Sequence, residues 1–309
     1  MSHTIGGIKL ASPLIAAPLA GYSDLAFRLL CRRFGAGLVF SEMISSHGLV
    51  YRQKASFNLC RSCAEEAPLA LQLFGAEPEI MGEAAAILSG LPGAIIDINM
   101  GFPVRKVVRK GAGSALMRDP KKARRVMAAV VARSQKPVTV KIRAGWNHQE
   151  KNAVLIARIA QDEGCAAVTV HGRTSSDGFG GRVDHRIIAA VRQAVTEIPV
   201  IANGDITTPD DIRISRENTD CDLLMIGRGG LGNPWIFRGE NRPKDGRVLM
   251  ACGLELFELM EEHSPAGLGR MKNILSRFAR GFPGAAAIRQ NIFAATDQKG
   301  LRDLLRSLT

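Results

Sequence analysis

Eight short apolar runs, rich in aliphatic and β-branched residues, recur along most of the chain. They lie at residues 14–17, 38–41, 69–73, 94–98, 138–142, 167–171, 199–202 and 223–226. Most are followed by a loop and an amphipathic helical pattern, and apolar strands that alternate with helices indicate a parallel sheet buried on both faces. Eight such units in about 240 residues predict an α/β fold, a (β/α)8 TIM barrel. A doubly wound sheet is the alternative, but no Gly-x-Gly-x-x-Gly turn supports it.

The alternation of strand and helix patterns stops after residue 237. A polar segment with glycine and proline, residues 238–246, indicates a domain boundary. Beyond it the pattern is helical only, at residues 248–262, 268–280, 285–295 and 298–308, with breaks at 265–267, 282–284 and 296–297. We therefore expect a barrel domain over residues 1–240 and a small C-terminal helical-bundle domain over residues 247–309.

Positive charge is concentrated in one segment of the chain. Lys and Arg number 41 against 29 Asp and Glu, a formal net charge of +12. Residues 100–143 alone hold 13 Lys and Arg and one acid, Asp119, so the remaining 28 basic and 28 acidic residues cancel. A solvated helix face is the ordinary meaning of scattered charges. An excess placed entirely beside one predicted loop favours a surface that binds a polyanion, such as a nucleic-acid backbone.

Several other classes of protein are disfavoured. No apolar run reaches membrane-spanning length, and the N-terminus has no basic region followed by an apolar core, so we expect a cytoplasmic protein without a secretory signal. The six cysteines are scattered, as is typical of reduced thiols. Cys60 and Cys63 form a single Cys-x-x-Cys motif. A zinc site of this type needs a second pair of ligands, and none stands nearby in the sequence. We predict no metal, and a monomer.

Polar residues and glycines stand at the carboxyl ends of six of the predicted strands, the edge where such barrels bind ligands. Two basic groups and a histidine among them favour a ligand over simple loop caps. Glycines after the last two strands suit a phosphate, because backbone N–H groups can approach it closely. We therefore expect a phosphorylated cofactor with an electron-rich ring near Lys141. The residues are Gln72, Asn99, Lys141, Arg143, His171, Asn203, Gly204, Asp205, Gly227 and Arg228.

Short motifs at the same strand ends match one family. They are Ala-Pro-Leu-Ala-Gly at 17–21, Ser-Glu-Met at 41–43, Asp-Ile-Asn-Met-Gly at 97–101, Gly-Ala-Gly-Ser-Ala-Leu at 111–116, Lys-Ile-Arg at 141–143, His-Gly-Arg-Thr at 171–174, Ala-Asn-Gly-Asp-Ile at 202–206 and Met-Ile-Gly-Arg at 225–228. On these motifs together, the chain resembles the tRNA-dihydrouridine synthase family, and in particular its bacterial B-type subgroup, from near residue 8 to the C-terminus.

The resemblance implies a function and a set of ligands. FMN would lie in the barrel mouth, NADPH would be the reductant, and a uridine of tRNA or another structured RNA would be flipped out of its stack and reduced to 5,6-dihydrouridine, with hydride delivered to C6 of the base. A flavin barrel for a small molecule, such as a dihydropyrimidine dehydrogenase, is an alternative of a different class. It would have no need of the basic segment.

The resemblance also assigns residues to these ligands. Those that would line the isoalloxazine are Pro18, Leu19 and Ala20. Those that would hold the ring edge are Gln72, Lys141 and His171, and those at the ribityl phosphate are Asn203, Gly204, Asp205, Gly227 and Arg228. Those that would face the target base are Asn99, His171 and Arg173. The basic residues between 105 and 125 would contact the RNA backbone together with Arg270, Lys272, Arg277 and Arg280.

Phe102 departs from the family's pattern, which has a proton-donating cysteine at this position. Hydride addition to C6 requires a proton at C5, and a phenyl ring cannot supply it. Three interpretations stay open. The synthase activity is retained with another acid, such as water, Tyr51, Cys60 or Cys63; the chain is a flavin- and RNA-binding paralogue without reductase activity; or it is a flavin enzyme with altered chemistry.

Overall fold

The structure, a computed structural model, describes residues 3–263 and 267–309. Its centre is a parallel sheet of nine strands, of which eight form the barrel and the ninth, the short Ile44–Ser45, pairs with the end of the third barrel strand. From the second barrel strand onward each pairs with the next along the chain, and the last pairs with the first. A bridge between Ile15 and Leu38 joins the first strand to the second and closes the barrel. The predicted (β/α)8 barrel is confirmed. The strands are β1 (Leu14–Ala16), β2 (Val39–Phe40), β3 (Leu69–Phe74), β4 (Ile95–Met100), β5 (Val138–Arg143), β6 (Ala167–His171), β7 (Val200–Asn203) and β8 (Leu223–Ile226).

Helices follow the first seven strands and form the outer layer. Several begin at side-chain caps: Asp24 accepts a hydrogen bond from the N–H of Phe27, and Thr208 and Asp211 form a capping box. These helices are α1 (Leu25–Arg33), α2 (Ser46–Val50), α3 (Lys54–Asn58), α4 (Pro78–Ser89), α5 (Arg105–Val108), α6 (Pro120–Arg133), α7 (Ala153–Asp162), α8 (His185–Ala194) and α9 (Pro209–Thr219).

The two faces of the strands pack into separate cores. Residues that point into the barrel, such as Ile15, Phe40 and Ile201, form one buried cluster, and their sequence neighbours pack outward against the helices in a second, larger cluster. The division follows from the strand geometry, because successive side chains point to opposite faces. At the carboxyl ends of the strands the inward positions change from apolar to polar, and the site begins there.

A short hairpin, Thr4–Ile5 paired with Ile8–Lys9, lies at the opposite end of the barrel. Ile5 is fully buried in the inner cluster, and Gly6 lies against Pro137 and Ala166, just before β5 and β6. The hairpin therefore closes the amino-terminal end of the barrel. It was not among the predicted strands, because each of its strands has only two residues.

The chain after β8 turns to helices, as predicted. Residues 247–309 are called the helical tail below. Its first helix packs along α1, where Arg33 donates to Glu255 at 3.0 Å. The predicted helix at 268–280 is shorter in the structure, and turns follow it as far as residue 278. The predicted break at Pro265 and Ala266 lies outside the described residues. The helices are α10 (Gly246–His263), α11 (Leu268–Leu275), α12 (Ala285–Ala294) and α13 (Gln298–Ser307).

The predicted polar linker is tied to the folded protein. Arg242 donates to the carbonyl oxygen of Gly232 at 2.9 Å, just after β8, and to those of Phe278 and Arg280 in the tail at 2.7 Å. The guanidinium thus joins the last barrel loop to the turn that follows α11. In the part of the chain that the structure describes, no helix is long and apolar enough to cross a membrane.

Candidate active site

A cavity of about 590 Å³ opens at the carboxyl ends of the strands. Its size is typical of a site for a small organic ligand. Of the fourteen residues assigned from the sequence to the cofactor, the base or the proton donor, thirteen line it. They are Pro18, Leu19, Ala20, Asn99, Phe102, Lys141, His171, Arg173, Asn203, Gly204, Asp205, Gly227 and Arg228.

Gln72 is the exception, and it lies behind the cavity wall rather than among its described lining residues. Its amide nitrogen donates to Asp97 at 2.7 Å, and its amide oxygen accepts from Asn99 at 2.8 Å. Thr139 donates to the other oxygen of Asp97 at 2.5 Å. Burial raises the pKa of Asp97 to about 6, although both hydrogen bonds oppose the shift. The fully buried Gln72 and Asp97 therefore orient Asn99 from inside the barrel.

The loop that carries Phe102 is held from two sides. The side-chain oxygen of Asn99 accepts from the backbone N–H groups of Gly101 and Phe102, at 3.2 and 3.0 Å. Arg143 lies across the loop, and its guanidinium donates to the carbonyl oxygens of Gly101 and Thr174, each at 2.7 Å. The backbone at Phe102 is consequently fixed with its side chain on the cavity wall. Ser114 adds a third contact, because its N–H donates to the carbonyl oxygen of Phe102 at 3.1 Å.

Lys141 projects from the inward face of β5 into the cavity. Its ammonium donates to the side-chain oxygen of Asn203 at 2.9 Å, and the amide of Asn203 donates in turn to the carbonyl oxygen of Met225 at 2.8 Å. Burial and the nearby Arg143 lower the pKa of Lys141 to about 7. An anionic ligand beside it would favour the charged form, so the site is built to accept negative charge.

His171 and Arg173 form a second polar group at the end of β6. The guanidinium of Arg173 can only donate, so at 3.2 Å the Nε2 atom of His171 accepts and carries no proton. Burial, with Lys141 and the surrounding arginines, holds the pKa of His171 well below its usual range. Arg173 also donates to Asp205 at 2.5 Å, and Asp205 adopts a left-handed backbone with φ 52°. Aspartate adopts such a conformation more readily than most other non-glycine residues.

The lining fits a phosphorylated cofactor with a flat ring. Ala17, Pro18 and Leu19 form an apolar wall, and cationic and amide groups stand opposite. At Gly227 an added Cβ would meet only Ala17 and Leu19, at the ordinary distance of 3.8 Å, so packing against neighbours does not require a glycine there. Because Gly227 has no side chain, the cavity stays open at this position. Arg228 is exposed at the same edge. The apolar wall is therefore suited to a flat ring, and the cationic and amide groups are suited to a phosphate.

The acids suggested by the sequence as substitutes for Phe102 lie elsewhere. None of Tyr51, Cys60 and Cys63, all three within the described residues, lines the cavity. Tyr51 is 65% exposed on the surface, and Cys60 is buried with a pKa that burial raises to about 11. The six cysteines are free thiols. Within residues 3–263 and 267–309, no three His, Cys, Asp or Glu side chains are grouped so that they could hold a metal ion.

The structure adds residues that the sequence did not suggest. Tyr22, in the loop after β1, lines the cavity, as do Arg277 and Arg280 from the helical tail and the exposed Phe179. The sequence identified the two arginines as basic residues but could not place them beside strands more than 200 positions away. Tyr22 could have been noticed as a phenol one residue beyond the Ala-Pro-Leu-Ala-Gly motif.

Two of the tail arginines expected to contact RNA are engaged within the protein. Arg270 lies 3.1 Å from Asp24 and 2.9 Å from Glu42, two acids beside the loop after β1. Arg277 donates to the Tyr22 hydroxyl at 3.0 Å. These contacts fasten the helical tail to the cavity rim.

The basic segment extends from the cavity to the outer surface. Lys141 and Arg143 line the cavity, Arg124 pairs with two acids at the end of α7, and Lys136 caps the end of α4. The remaining members are mostly exposed, and those before and at the start of α6 lie nearest the cavity, since barrel helices run back from that edge. The exposed ones are Arg105, Lys106, Arg109, Lys110, Arg118, Lys121, Arg125 and Arg133.

Comparison with known proteins agrees with these observations. A tRNA-dihydrouridine synthase B of Shewanella oneidensis is 47% identical over 234 residues, 76% of this chain and 72% of that protein. The one of Pseudomonas aeruginosa is 43% identical over 261 residues, 84% of this chain and 78% of that protein. An old yellow enzyme homologue from Zymomonas mobilis shares the fold, with a TM-score of 0.55 and 14% identity over 77% of this chain and 90% of that one. The family model "Dihydrouridine synthase (Dus)" matches residues 14–308, so the chain belongs to the dihydrouridine synthase family.

Proposed function

We propose that the protein reduces uridine to 5,6-dihydrouridine in tRNA, with FMN in the cavity and NADPH as the reductant. The observation that carries the proposal is the convergence on one cavity, beside the basic segment, of thirteen residues at the positions that the family resemblance assigns to the cofactor, the base or the proton donor. When bound, reduced FMN supplies hydride. The chain's own residues bind the ring and the phosphate, orient the base, and hold or move the proton that the second half of the addition needs.

The cofactor residues fall into two groups. Pro18, Leu19 and Ala20 would pack against the ring, while Lys141 and His171 would contact its polar edge and Gln72 would support it from behind the wall. The ammonium of Lys141 is suited to negative charge on a reduced ring, because burial makes its charged form dependent on such a partner. The phosphate would lie at the last two loops of the barrel, among Asn203, Gly204, Asp205, Gly227 and Arg228.

The RNA would approach over the basic segment and the tail. Exposed lysines and arginines there, such as Arg109 and Lys121, can neutralise backbone phosphates, and the cavity beside them would take one base out of its stack. Asn99, His171 and Arg173 line the cavity where that base would lie. In this arrangement residues 1–240 form the cofactor-binding barrel and residues 247–309 the RNA-binding domain of a cytoplasmic monomer.

Phe102 favours a second candidate, a flavin- and RNA-binding paralogue without reductase activity, because its side chain on the cavity wall cannot donate a proton. One experiment separates the two. FMN-loaded protein and a Phe102→Cys variant are incubated with NADPH and unmodified tRNA, and dihydrouridine is quantified by mass spectrometry. Product from the unaltered protein supports the synthase. Product from the variant alone supports the paralogue, and bound flavin with no product from either would contradict the proposed activity.

A further inference from the structure

The proposed reduction leaves one chemical requirement unassigned, the source of the proton that reaches C5 of the base. A candidate must line the cavity and carry a proton that it can release. Among the described lining residues the ionisable groups other than arginine are Tyr22, Lys141, His171 and Asp205. Arginine does not deprotonate in proteins. Four side chains therefore remain as candidates.

Two of the four are unsuitable on their hydrogen bonds. Both carboxylate oxygens of Asp205 accept hydrogen bonds, one from the Arg173 guanidinium at 2.5 Å and the other from the N–H of Val183 at 3.0 Å, so this side chain serves as an acceptor. The Nε2 atom of His171 accepts from Arg173. Lys141 donates to Asn203 in the wall where the cofactor ring would lie, so its removal would disturb cofactor binding and proton supply together.

Tyr22 differs from Asp205 and His171, because its proton is free. Its hydroxyl oxygen accepts from the guanidinium of Arg277 at 3.0 Å, and no acceptor in residues 3–263 or 267–309 takes the hydroxyl proton. Arg277 also lies over the Tyr22 ring, 5.7 Å from its centroid. When the phenol gives up its proton, the positive guanidinium is already in place beside the new phenolate oxygen.

The loop that carries Tyr22 is rigid. The N–H of Tyr22 donates to the carbonyl oxygen of Leu19 at 2.9 Å, and the N–H of Gly21 donates to Glu42 at 2.5 Å. Glu42 is itself held by Arg270 of the tail. Tyr22 therefore has a fixed position next to the residues that would line the ring, as a proton donor requires.

Arg277 is fixed as well, from the other side of the cavity rim. An added Cβ at Gly232 would lie 2.5 Å from the Arg277 backbone, so the loop after β8 packs directly against the tail at this residue. The guanidinium of Arg242 donates hydrogen bonds to the carbonyl oxygens of Phe278 and Arg280, just after Arg277 in the chain. The loop after β8 and the linker therefore hold the backbone around Arg277 in place, and its side chain reaches Tyr22.

We propose that Tyr22 is the proton donor of the reaction and that Arg277 is its positioning residue; this inference rests on the proposed function. As hydride reaches C6, the C5–C6 π bond breaks and its electron pair takes the proton of the Tyr22 hydroxyl at C5. The phenolate that remains is stabilised by Arg277 and regains a proton from water at the cavity mouth. The electrons come from NADPH, so uridine, NADPH and one proton give dihydrouridine and NADP⁺.

The test compares Tyr22→Phe with Tyr51→Phe, since the chain has only these two tyrosines and Tyr51 is on the surface. Dihydrouridine formation on unmodified tRNA is measured in a single turnover of pre-reduced, FMN-loaded protein. We expect Tyr22→Phe to lower the rate by about a hundredfold or more, as for loss of a general acid. Flavin retention and its reduction by NADPH should be unchanged, and Tyr51→Phe should match the unaltered protein.

The double variant Tyr22→Phe with Phe102→Cys tests whether the loss concerns the proton. Recovery of product supports the proposal, because a thiol at the cavity wall can replace the phenol. Two results overturn the proposal. One is a loss of dihydrouridine formation that the added cysteine does not restore, since Tyr22 would then be needed for something else. The other is a Tyr22→Phe rate within about twofold of that of the unaltered protein. A Tyr22→Phe rate equal to that of an active unaltered protein is the outcome in which the inference about Tyr22 fails alone. If only Phe102→Cys forms product, the paralogue is supported, and the proposed function and the inference about Tyr22 fail together. If no variant forms product, the proposed function fails as well.

Two further measurements do not rest on the rate of Tyr22→Phe, and the first of them needs no turnover. In protein labelled with ¹³Cζ-tyrosine, the Tyr22 resonance, assigned by its loss in Tyr22→Phe, should move when unmodified tRNA is added and when Arg277 is changed to Met. An unmoved resonance in protein that binds tRNA would overturn the placement. Arg277→Met should lower the single-turnover rate by about tenfold or more, and Arg277→Lys, which keeps an N–H donor, should retain most of it; equal rates for both would refute the role of Arg277.

Discussion

Asp97 provides a test of the polar interior through the pH dependence of stability. Burial raises its pKa from 3.8 to about 6. The folded protein then binds a proton that the unfolded chain has already released, so the free energy of unfolding falls as the pH rises through this interval. The difference between the two pKa values corresponds to about 3 kcal/mol of the free energy of unfolding, and about 2 kcal/mol of this is lost between about pH 4 and pH 6. The pKa of Lys141, about 7, lies above that range, so the titration of Lys141 falls mostly outside it.

The perturbation is Asp97→Asn, which keeps the shape and removes the titration. Urea unfolding is followed for both proteins at pH 4 and pH 6. The stability of the variant relative to the unaltered protein should improve by about 2 kcal/mol from the lower to the higher pH. Thr139→Val is the matched control: it removes a hydrogen bond that lowers the pKa of Asp97, so the loss of stability should move to higher pH. A stability difference that is the same at both pH values would refute the reasoning.

Three other predictions concern stability and RNA binding. Glu66→Gln is expected to destabilise the fold by about 3–5 kcal/mol in urea unfolding, because it leaves the buried Arg28 without its partner at 2.5 Å; the exposed Glu65→Gln should change stability by less than about 0.5 kcal/mol. Gly232→Ala should lower the melting temperature, since φ is +69° and the added Cβ would lie 2.5 Å from the tail backbone; an unchanged value would contradict the close approach. Arg109→Gln should weaken tRNA binding and reduce the slope of log affinity against log salt by about 1, measured by filter binding, whereas an unchanged slope would exclude a phosphate contact.

The barrel could be predicted because its signal is local. Each strand, such as β6 or β8, is an apolar run bounded by a loop, and the order of strands in a parallel barrel follows the order of the chain. The same reasoning placed Lys141 and His171 at one edge, since the carboxyl ends of all strands meet there. Cavity-lining positions that follow from strand ends were therefore accessible from the sequence.

The contacts between distant segments could not be predicted in this way. Tyr22 and Arg277 are joined by one hydrogen bond across 255 positions, and nothing in the periodicity of either segment indicates it. The family resemblance and the place of Gln72 at a predicted strand end assign it to the cofactor, but hydrogen bonds to Asp97 and Asn99 hold it behind the wall. Side-chain hydrogen bonding depends on the assembled geometry, which propensity and spacing do not specify.

The most direct test of the proposed function is a single turnover with the reductant removed. Protein with FMN reduced beforehand is mixed with an equal amount of unmodified tRNA in the absence of NADPH and oxygen, and flavin absorbance and dihydrouridine are followed together. The proposed function predicts that the flavin is reoxidised at the rate at which dihydrouridine forms, in equal amounts. Flavin that stays reduced while tRNA is bound, with no dihydrouridine formed, would contradict it.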